Sequence, residues 1–270
     1  MNFKRDLGIG IFDSGFGGLT VMRQVMDLLP NENIYYLGDT ARLPYGNKSP
    51  DTILRYSIEN AIFLLDKNIK ALVVACNTAT AYSLDRLQQI FNIPIIGVIE
   101  PGAEEAAKIS TNGNIAVLGT RGTIDSQVYH QALLKLIPNV NYHGQICPLL
   151  VHLVEENMVD HPITNMALNE YLQFLKHSTI DTIVLGCTHF PLLQNAIQQI
   201  AGDKIQLVNS ANACANKLKS VLEENKLLTL RTILGTQKYF ISDDIKKFSH
   251  LGKAFLGLPI KNIEHFGNHF

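Results

Sequence analysis

The chain alternates between short apolar runs and longer segments in which apolar residues recur at helical spacing. The first pattern is typical of strands buried on both faces, and the second of amphipathic helices. The apolar runs predict strands at residues 8–12, 34–37, 71–75, 94–98, 115–118, 141–146, 182–185 and 206–208. The amphipathic segments predict helices at residues 19–29, 50–65, 79–91, 124–137, 163–176, 191–200 and 212–223.

Strands and helices that alternate in this way favour right-handed βαβ units and mostly parallel sheets. The segment VVACNT at residues 73–78 resembles VLGCTH at 184–189, and IGIFDS at 9–14 resembles IAVLGT at 115–120. The two pairs are separated by similar lengths of chain, although chance similarity between buried strands is the alternative explanation. We expect two similar parallel-sheet α/β domains that face each other across a substrate cleft.

Composition and charge narrow the classes of function. The 270 residues carry a formal net charge of −1, which gives no indication of a nucleic-acid or membrane-surface partner. No apolar run reaches the roughly 18 residues that a membrane-spanning helix needs. The apolar stretch after Lys4 and Arg5 ends at Asp13 without a small-residue cleavage site, so it predicts a core strand and not a signal peptide. We therefore expect a cytoplasmic protein.

The four cysteines are distant from one another in sequence and form no CxxC motif. In a reducing compartment they should be free thiols. A free cysteine is most often a small buried hydrophobe, and this is our interpretation of Cys147 and Cys214. Cys76 and Cys187 differ from these two because each follows a predicted strand.

Polar residues cluster where several predicted strands end, and parallel sheets bind ligands at the carboxyl ends of their strands. The clusters are Asp13-Ser14, Pro44-Tyr45-Gly46, Cys76-Asn77-Thr78, Thr120 with Thr123, and Cys187-Thr188-His189. A buried strand that ends in such residues stops being hydrophobic where a site would begin. Together the clusters predict one site, with Thr120 and Thr123 among its candidate substrate contacts.

The two strand-end cysteines suggest acid/base chemistry. Each is expected just before a helix, whose N-terminus favours an anion and should lower the pKa of a thiol. Asn77, Thr78 and Thr188, with the exposed amides of a helix start, could hold a substrate carboxylate. If the two halves face each other, one cysteine removes a proton while the other returns one on the opposite face, which inverts a stereocentre. Asp13 and His189 are the expected helpers.

Three other interpretations of these residues remain. Gly15, Gly17 and Gly18, with Asp39 downstream, faintly suggest a dinucleotide site, but their spacing is not G-x-G-x-x-G. Cys187 and His189 could bind a metal together with Cys76, although the usual zinc spacing is missing. Either cysteine could form a covalent intermediate with His189 as the activating base, which would leave the other cysteine unexplained.

The motifs resemble those of the glutamate racemases, a branch of the aspartate/glutamate racemase family. The matching segments, in the family's order and spacing, are GIFDSGFGG at residues 10–18, GDTARLPYG at 38–46, VACNTA at 74–79, GVIEPG at 97–102 and LGCTHFPL at 185–192. The resemblance runs from about residue 8 to about residue 213, and the remaining C-terminal segment carries no diagnostic motif. His152 and Asn209 stand where many relatives carry proline and aspartate, and both lie outside these motifs.

The resemblance implies a reaction and its residues. Cys76 would act on D-glutamate with help from Asp13, and Cys187 on L-glutamate with help from His189, while Glu155 would be a further acidic residue of the site. The implied substrate contacts are Asp13, Ser14, Tyr45, Gly46, Asn77, Thr78, Thr188 and His189. No metal or organic cofactor is expected. The product would serve peptidoglycan synthesis.

The resemblance also implies domain boundaries and an assembly. Residues 1–98 with 209–270 would form the first α/β domain, residues 99–208 would form the second, and the protein would be a homodimer. Aspartate racemases share the two-cysteine plan, so glutamate as the substrate follows from the closeness of the match. A non-catalytic amino-acid-binding module and an interaction protein remain alternatives from other functional classes.

Overall fold

The computed structural model describes residues 3–266, which contain ten strands and eleven α-helices. The strands are β1 (Gly8–Asp13), β2 (Ile34–Gly38), β3 (Ile69–Val74), β4 (Ile95–Gly97), β5 (Asn114–Gly119), β6 (Asn141–Ile146), β7 (Thr182–Gly186), β8 (Gln206–Asn209), β9 (Gln237–Ile241) and β10 (Ile263–His265). The helices are α1 (Leu19–Leu28), α2 (Pro50–Leu65), α3 (Asn77–Ile90), α4 (Ile99–Ile109), α5 (Arg121–Asp125), α6 (Val128–Leu136), α7 (Pro148–Glu155), α8 (Pro162–Tyr171), α9 (Gln194–Ala201), α10 (Ser210–Glu224) and α11 (Ile245–Leu256). Short 3-10 helices span Phe3–Asp6, Tyr45–Asn47, Gln173–His177 and Phe190–Leu193.

The strands form two parallel sheets, as the sequence predicted. The first has the order β10-β9-β2-β1-β3-β4 and the second the order β6-β5-β7-β8. Four strands of the first sheet, β2-β1-β3-β4, therefore have the same order as the whole second sheet. The similar segments of the sequence occupy matching places, because β1 corresponds to β5 and β3 corresponds to β7.

Helices cover both faces of both sheets. Helices α2 and α3 pack on one face of the first sheet, and α4 and α6 pack on one face of the second. The opposite faces of the two sheets share one continuous core, which also takes in α1, α7, α9, α10 and α11. Because this core runs from one sheet to the other, the carboxyl ends of the strands of both sheets are held close together.

Local sequence signals explain where several helices begin. Ser49 caps α2 by accepting a hydrogen bond from the Thr52 amide, and Pro50 takes the first helical position. Asp244 caps α11 by accepting from the amides of two residues in its first turn. Among the helices of residues 3–266, none is both long and apolar enough to cross a membrane.

Some predicted elements differ from the structure. The helix predicted at 124–137 is two helices, because Gln127 adopts a left-handed conformation with φ 59° between α5 and α6. The helices predicted at 163–176 and 191–200 are each part α-helix and part 3-10 helix. Helices α4, α7 and α11 and strands β9 and β10 were not predicted. The predicted domain boundaries, 98/99 and 208/209, stay a prediction.

Candidate active site

A cavity that opens to solvent lies where the carboxyl ends of the strands of the two sheets meet, and its empty space, part of which is open solvent, is about 360 Å³. It is lined by Ser14, Leu43, Pro44, Tyr45, Gly46, Cys76, Asn77, Thr78, Thr120, Thr123, Val151, Glu155, Gly186, Cys187, Thr188 and His189. Every predicted site residue except Asp13 is therefore in its wall. The two cysteines belong to different sheets, since Cys76 follows β3 and Cys187 follows β7, and each is 6 % exposed.

Asp13 lies behind the wall and is fully buried. Its Oδ1 accepts a hydrogen bond from the Gly15 amide at 2.9 Å, and its Oδ2 accepts one from the Thr188 hydroxyl at 3.3 Å. Burial raises the pKa of Asp13, against the lowering effect of the nearby His189 charge and these hydrogen bonds. The carboxyl thus joins the end of β1 to the Cys187 loop, and its charge also acts on Cys76.

The environment of Cys76 disfavours negative charge. Its thiol donates to the Ser14 hydroxyl at 3.7 Å, and its sulphur caps α3 by accepting from the Ala79 amide at 3.5 Å. Burial and the neighbouring Asp13 charge nevertheless raise the pKa of Cys76 to about 12. The prediction that the helix start would lower this pKa was wrong, because the loss of hydration outweighs the helix N-terminus.

Cys187 is paired with a buried histidine. Its Sγ lies 3.8 Å from Nδ1 of His189, whose Nε2 lies 2.9 Å from Oε1 of Glu155 near the end of α7. Burial alone would lower the pKa of His189, but the hydrogen bonds and charges of Cys187 and Glu155 raise it to about 10. His189 is therefore a cation near neutral pH and stabilises negative charge on the Cys187 sulphur. Both of its nitrogens are engaged, which disfavours the metal-ligand interpretation.

The backbone after Cys187 also differs from the prediction. The α-helix after Cys187 was expected to begin at residue 191, whereas the α-helix after Cys76 begins at the next residue. Instead a short loop leads into the 3-10 helix Phe190–Leu193. This helix has too few aligned peptide groups for the predicted helix-terminus effect, so the partner that stabilises charge on Cys187 is the His189 cation.

The cavity wall offers neutral hydrogen-bond donors. Asn77 accepts from the Tyr129 hydroxyl at 2.8 Å through Oδ1, while its buried Nδ2 has no partner within residues 3–266. Asn77 also opens α3, whose first amides lack intrahelical acceptors. The hydroxyl oxygens of Thr78, Thr120 and Thr123 lie 2.7–3.1 Å from one another. Amides and hydroxyls placed in this way suit a carboxylate ligand.

Tyr45 contributes less polarity to the cavity than its hydroxyl suggests. This hydroxyl donates to Asp39 and accepts from Nδ2 of Asn60 at 3.1 Å, so it is already paired on the far side of the wall. Arg42 completes the cluster with a 2.7 Å ion pair to Asp39.

The glycine-rich turn after β1 joins the two halves. A Cβ at Gly17 would lie 2.2 Å from Oγ1 of Thr188 and 2.6 Å from Nδ1 of His189, so only glycine allows the two segments to approach this closely. The space beside Gly17 is thus filled by the second sheet's site loop. This packing contradicts the dinucleotide interpretation, which requires a phosphate against these glycines.

Three lining residues were missing from the predicted site, namely Leu43, Val151 and Gly186. Pro44 belonged to a strand-end cluster but was not among the predicted substrate contacts, and Val151 on α7 gave no signal. The two departures from the resemblance lie outside the lining. His152 is exposed on α7, and Asn209 caps α10 by accepting from the Ala211 amide at 3.0 Å.

Comparison with known proteins places this geometry among racemases. The family model described as Asp/Glu/Hydantoin racemase matches residues 21–218. A curated glutamate racemase from Geobacter metallireducens is 46% identical over 249 residues, which are 92% of each chain.

Solved structures agree with the family match. The chain superposes on a glutamate racemase isoform from Bacillus anthracis with a TM-score of 0.94 and 37% identity, over 97% of this chain and 98% of that one. The glutamate racemase from Francisella tularensis, solved in complex with D-glutamate, gives a TM-score of 0.91 and 35% identity over the same shares.

Proposed function

The chain belongs to the Asp/Glu/hydantoin racemase family and is an isomerase, and from this premise we propose that it interconverts L- and D-glutamate with two cysteines. One observation carries the proposal. Cys76 and Cys187 follow equivalent strands of two different sheets and line the same cavity. Two proton carriers in one cavity are what the inversion of a stereocentre requires.

In the L-to-D direction, the Cys187 thiolate takes the α-proton of L-glutamate and becomes a thiol. The electron pair of the broken C–H bond remains on the α-carbon and spreads into the adjacent carboxylate. The Cys76 thiol then delivers its proton to the opposite face and becomes a thiolate. The D-to-L direction exchanges the two roles.

The groups around each cysteine support this assignment. The His189 cation stabilises negative charge on Cys187, while Glu155 balances the charge of that cation. Asp13, whose pKa burial raises, lies near enough to Cys76 to act on its charge and would help it exchange a proton. A side chain of this protein can therefore carry out each proton-transfer step, and we propose that no metal or organic cofactor takes part.

Glutamate is favoured as the substrate by the curated relatives, which are glutamate racemases at 46% identity and below. The donors at Asn77, Thr78, Thr120 and Thr123 suit the carboxylates of such a ligand.

We propose further that the product supplies D-glutamate for peptidoglycan and that the protein is a cytoplasmic homodimer. We also propose that residues 1–98 with 209–270 form its first domain and residues 99–208 its second. A single molecular mass equal to one chain in light scattering would contradict the dimer.

The proposal is tested with L-glutamate in deuterated water. Two opposed cysteines should place one deuterium at the α-carbon of newly formed D-glutamate, while unreacted L-glutamate at low conversion keeps its hydrogen. Deuterium that enters recovered L-glutamate as fast as it enters the product would indicate a single base. No loss of optical rotation would contradict racemisation itself. A faster reaction with aspartate would contradict the assignment of glutamate as the preferred substrate.

A further inference from the structure

The C-terminal helix, which carries none of the diagnostic motifs, reaches the site histidine. The ring of Phe255 in α11 lies 5.3 Å from the imidazole of His189, centroid to centroid, with an interplanar angle of 83°. One ring therefore presents its edge to the face of the other, a favoured arrangement for aromatic pairs. Phe255 is itself buried, so this contact lies inside the molecule.

Phe255 is held in place by neighbouring rings and by the end of its helix. Phe16, in the glycine-rich turn, stacks on Phe248 at 5.6 Å and on Phe255 at 6.5 Å. Arg23 on α1 donates to the carbonyl of Leu256 at 3.2 Å and fastens the end of α11 to the first sheet's layer of helices. The ring against His189 therefore belongs to a fixed aromatic column.

The hydrogen bonds of His189 leave one motion of its ring open. Nδ1 faces Cys187 and Nε2 faces Glu155, and both contacts lie at the nitrogens. The imidazole is also bonded to its own Cβ and lies against Gly17, so the motion left to it is a slight rocking of the ring plane. A perpendicular neighbour blocks this rocking, and Phe255 is such a neighbour.

We propose that Phe255 is a positioning residue that keeps the His189 ring aligned with Cys187 and so supports proton transfer on the Cys187 side of the cavity. This inference rests on the proposed function. The titratable groups that face His189 are Cys187, Glu155 on α7 and Asp13 at the end of β1. Misalignment should weaken the first two contacts, while the hydrogen bonds of Cys76 with Ser14 and the Ala79 amide stay in place.

Phe248 provides a matched control. It belongs to the same helix, is fully buried, and stacks on the same Phe16, but its ring contacts are with Phe16, Tyr36 and Tyr239. Phe248→Leu removes the same atoms from the same column without touching His189. A general loss of packing should affect both variants, whereas a loss of positioning should affect only Phe255→Leu.

The experiment uses both enantiomers of a glutamate analogue with a leaving group on the β-carbon, because elimination needs only proton abstraction. Phe255→Leu should lower elimination from the L-analogue roughly tenfold, a part of the 10²–10⁴-fold that an acid/base group contributes. Elimination from the D-analogue should stay within about twofold of wild type. Titration of ¹⁵N-labelled histidine should show the pKa of His189 lowered in this variant and unchanged in Phe248→Leu.

An unchanged L-to-D ratio in Phe255→Leu, or the same change in Phe248→Leu, would overturn the proposal. If Phe255→Leu does not fold, Phe255→Met keeps most of the side-chain volume without a flat ring. The ratio of elimination rates from the L- and D-analogues then tests the proposal in that variant. Failure of the proposed function can be distinguished from failure of the Phe255 proposal. It would appear as a wild-type protein that eliminates from neither analogue, or as a Cys187→Ser variant that retains elimination from the L-analogue.

Discussion

The Cys76 side and the Cys187 side of the cavity share a strand order but differ in charge. Each cysteine follows the strand next to the first strand of its sheet, β3 beside β1 and β7 beside β5. Around Cys76 lie a hydroxyl and a carboxyl group, and its pKa is raised to about 12. Around Cys187 lies the His189–Glu155 pair, in which the pKa of His189 is raised to about 10.

This difference implies a preferred resting state. The raised pKa of Cys76 keeps its thiol protonated near neutral pH, so under the proposed mechanism Cys76 is ready to donate a proton on the D side of the substrate. The opposite state requires Cys76 to lose its proton in a buried, acidic environment. The repeated fold therefore places the two cysteines at equivalent positions of the two sheets. The charge around them differs in part because the residue two places after Cys76 is Thr78, whereas the residue two places after Cys187 is His189.

The largest expected effect comes from replacing either cysteine with serine. Cys76→Ser and Cys187→Ser should each reduce racemisation in both directions by more than the roughly 10²–10⁴-fold of a single acid/base group, because every turnover needs both. Cys147→Ser and Cys214→Ser are matched controls, since these cysteines are also buried but lie outside the cavity lining. Steady-state rates with both enantiomers test this. Near-wild-type racemisation in either cavity variant would make that cysteine structural.

A smaller effect is expected where the two halves touch. Gly17→Ala would drive a methyl group against Thr188 and His189 and displace the Cys187 loop, for which we expect a loss of about 10²-fold in kcat. Gly144→Ala on β6 is the control, because the nearest neighbours of its new methyl group are the side chains of Ile124 and Tyr142. Equal rates for the two variants would show that the Gly17 contact does not align the site.

Glu155→Gln should act only through His189. Without the carboxylate, the pKa of His189 falls from about 10 toward its ordinary value near 6.5, so the imidazolium is lost at a lower pH. The alkaline limb of L-glutamate turnover should move down, with a drop of roughly tenfold at pH 8 to 9. Rate profiles across pH measure the shift. An alkaline limb identical to that of wild type would separate Glu155 from the chemistry.

The smallest expected effect is on stability alone, and it tests whether the free energy of unfolding can change without a change in catalysis. Asn209→Ala removes the cap of α10 and should lower the free energy of unfolding by about 1 kcal/mol, with kcat unchanged. Asn209→Asp keeps a capping oxygen and should retain the stability. Denaturant unfolding and kinetics of the same preparations test both. A change in kcat without a change in stability would place Asn209 in the coupling between the sheets.

The sequence predicted all eight strands of the two matching four-strand arrangements, because most of them are short apolar runs between helical patterns. It missed β9 and β10, which complete the first sheet, and the helices α4, α7 and α11. Its helix at residues 124–137 was interrupted because Gln127 takes a positive φ, a conformation that hydrophobic periodicity does not encode.

The sequence predicted the residues of the site better than it predicted their pKa shifts. Strand-end polarity identified most of the wall, but Asp13 lies behind it and Val151 gave no signal. The pKa of Cys76 was predicted in the wrong direction because burial depends on tertiary packing that a local helix start does not reveal. The contact between Phe255 and His189 joins residues far apart in the chain and could not be inferred from spacing.

The central claim is that each cysteine serves one face of the substrate, and elimination from the two enantiomeric analogues tests it most directly. We predict that Cys187→Ser still eliminates from the D-analogue through Cys76, and that Cys76→Ser still eliminates from the L-analogue through Cys187. Each variant should lose elimination from the other enantiomer. A variant that keeps elimination from both enantiomers would contradict this account, because one base would then serve both faces.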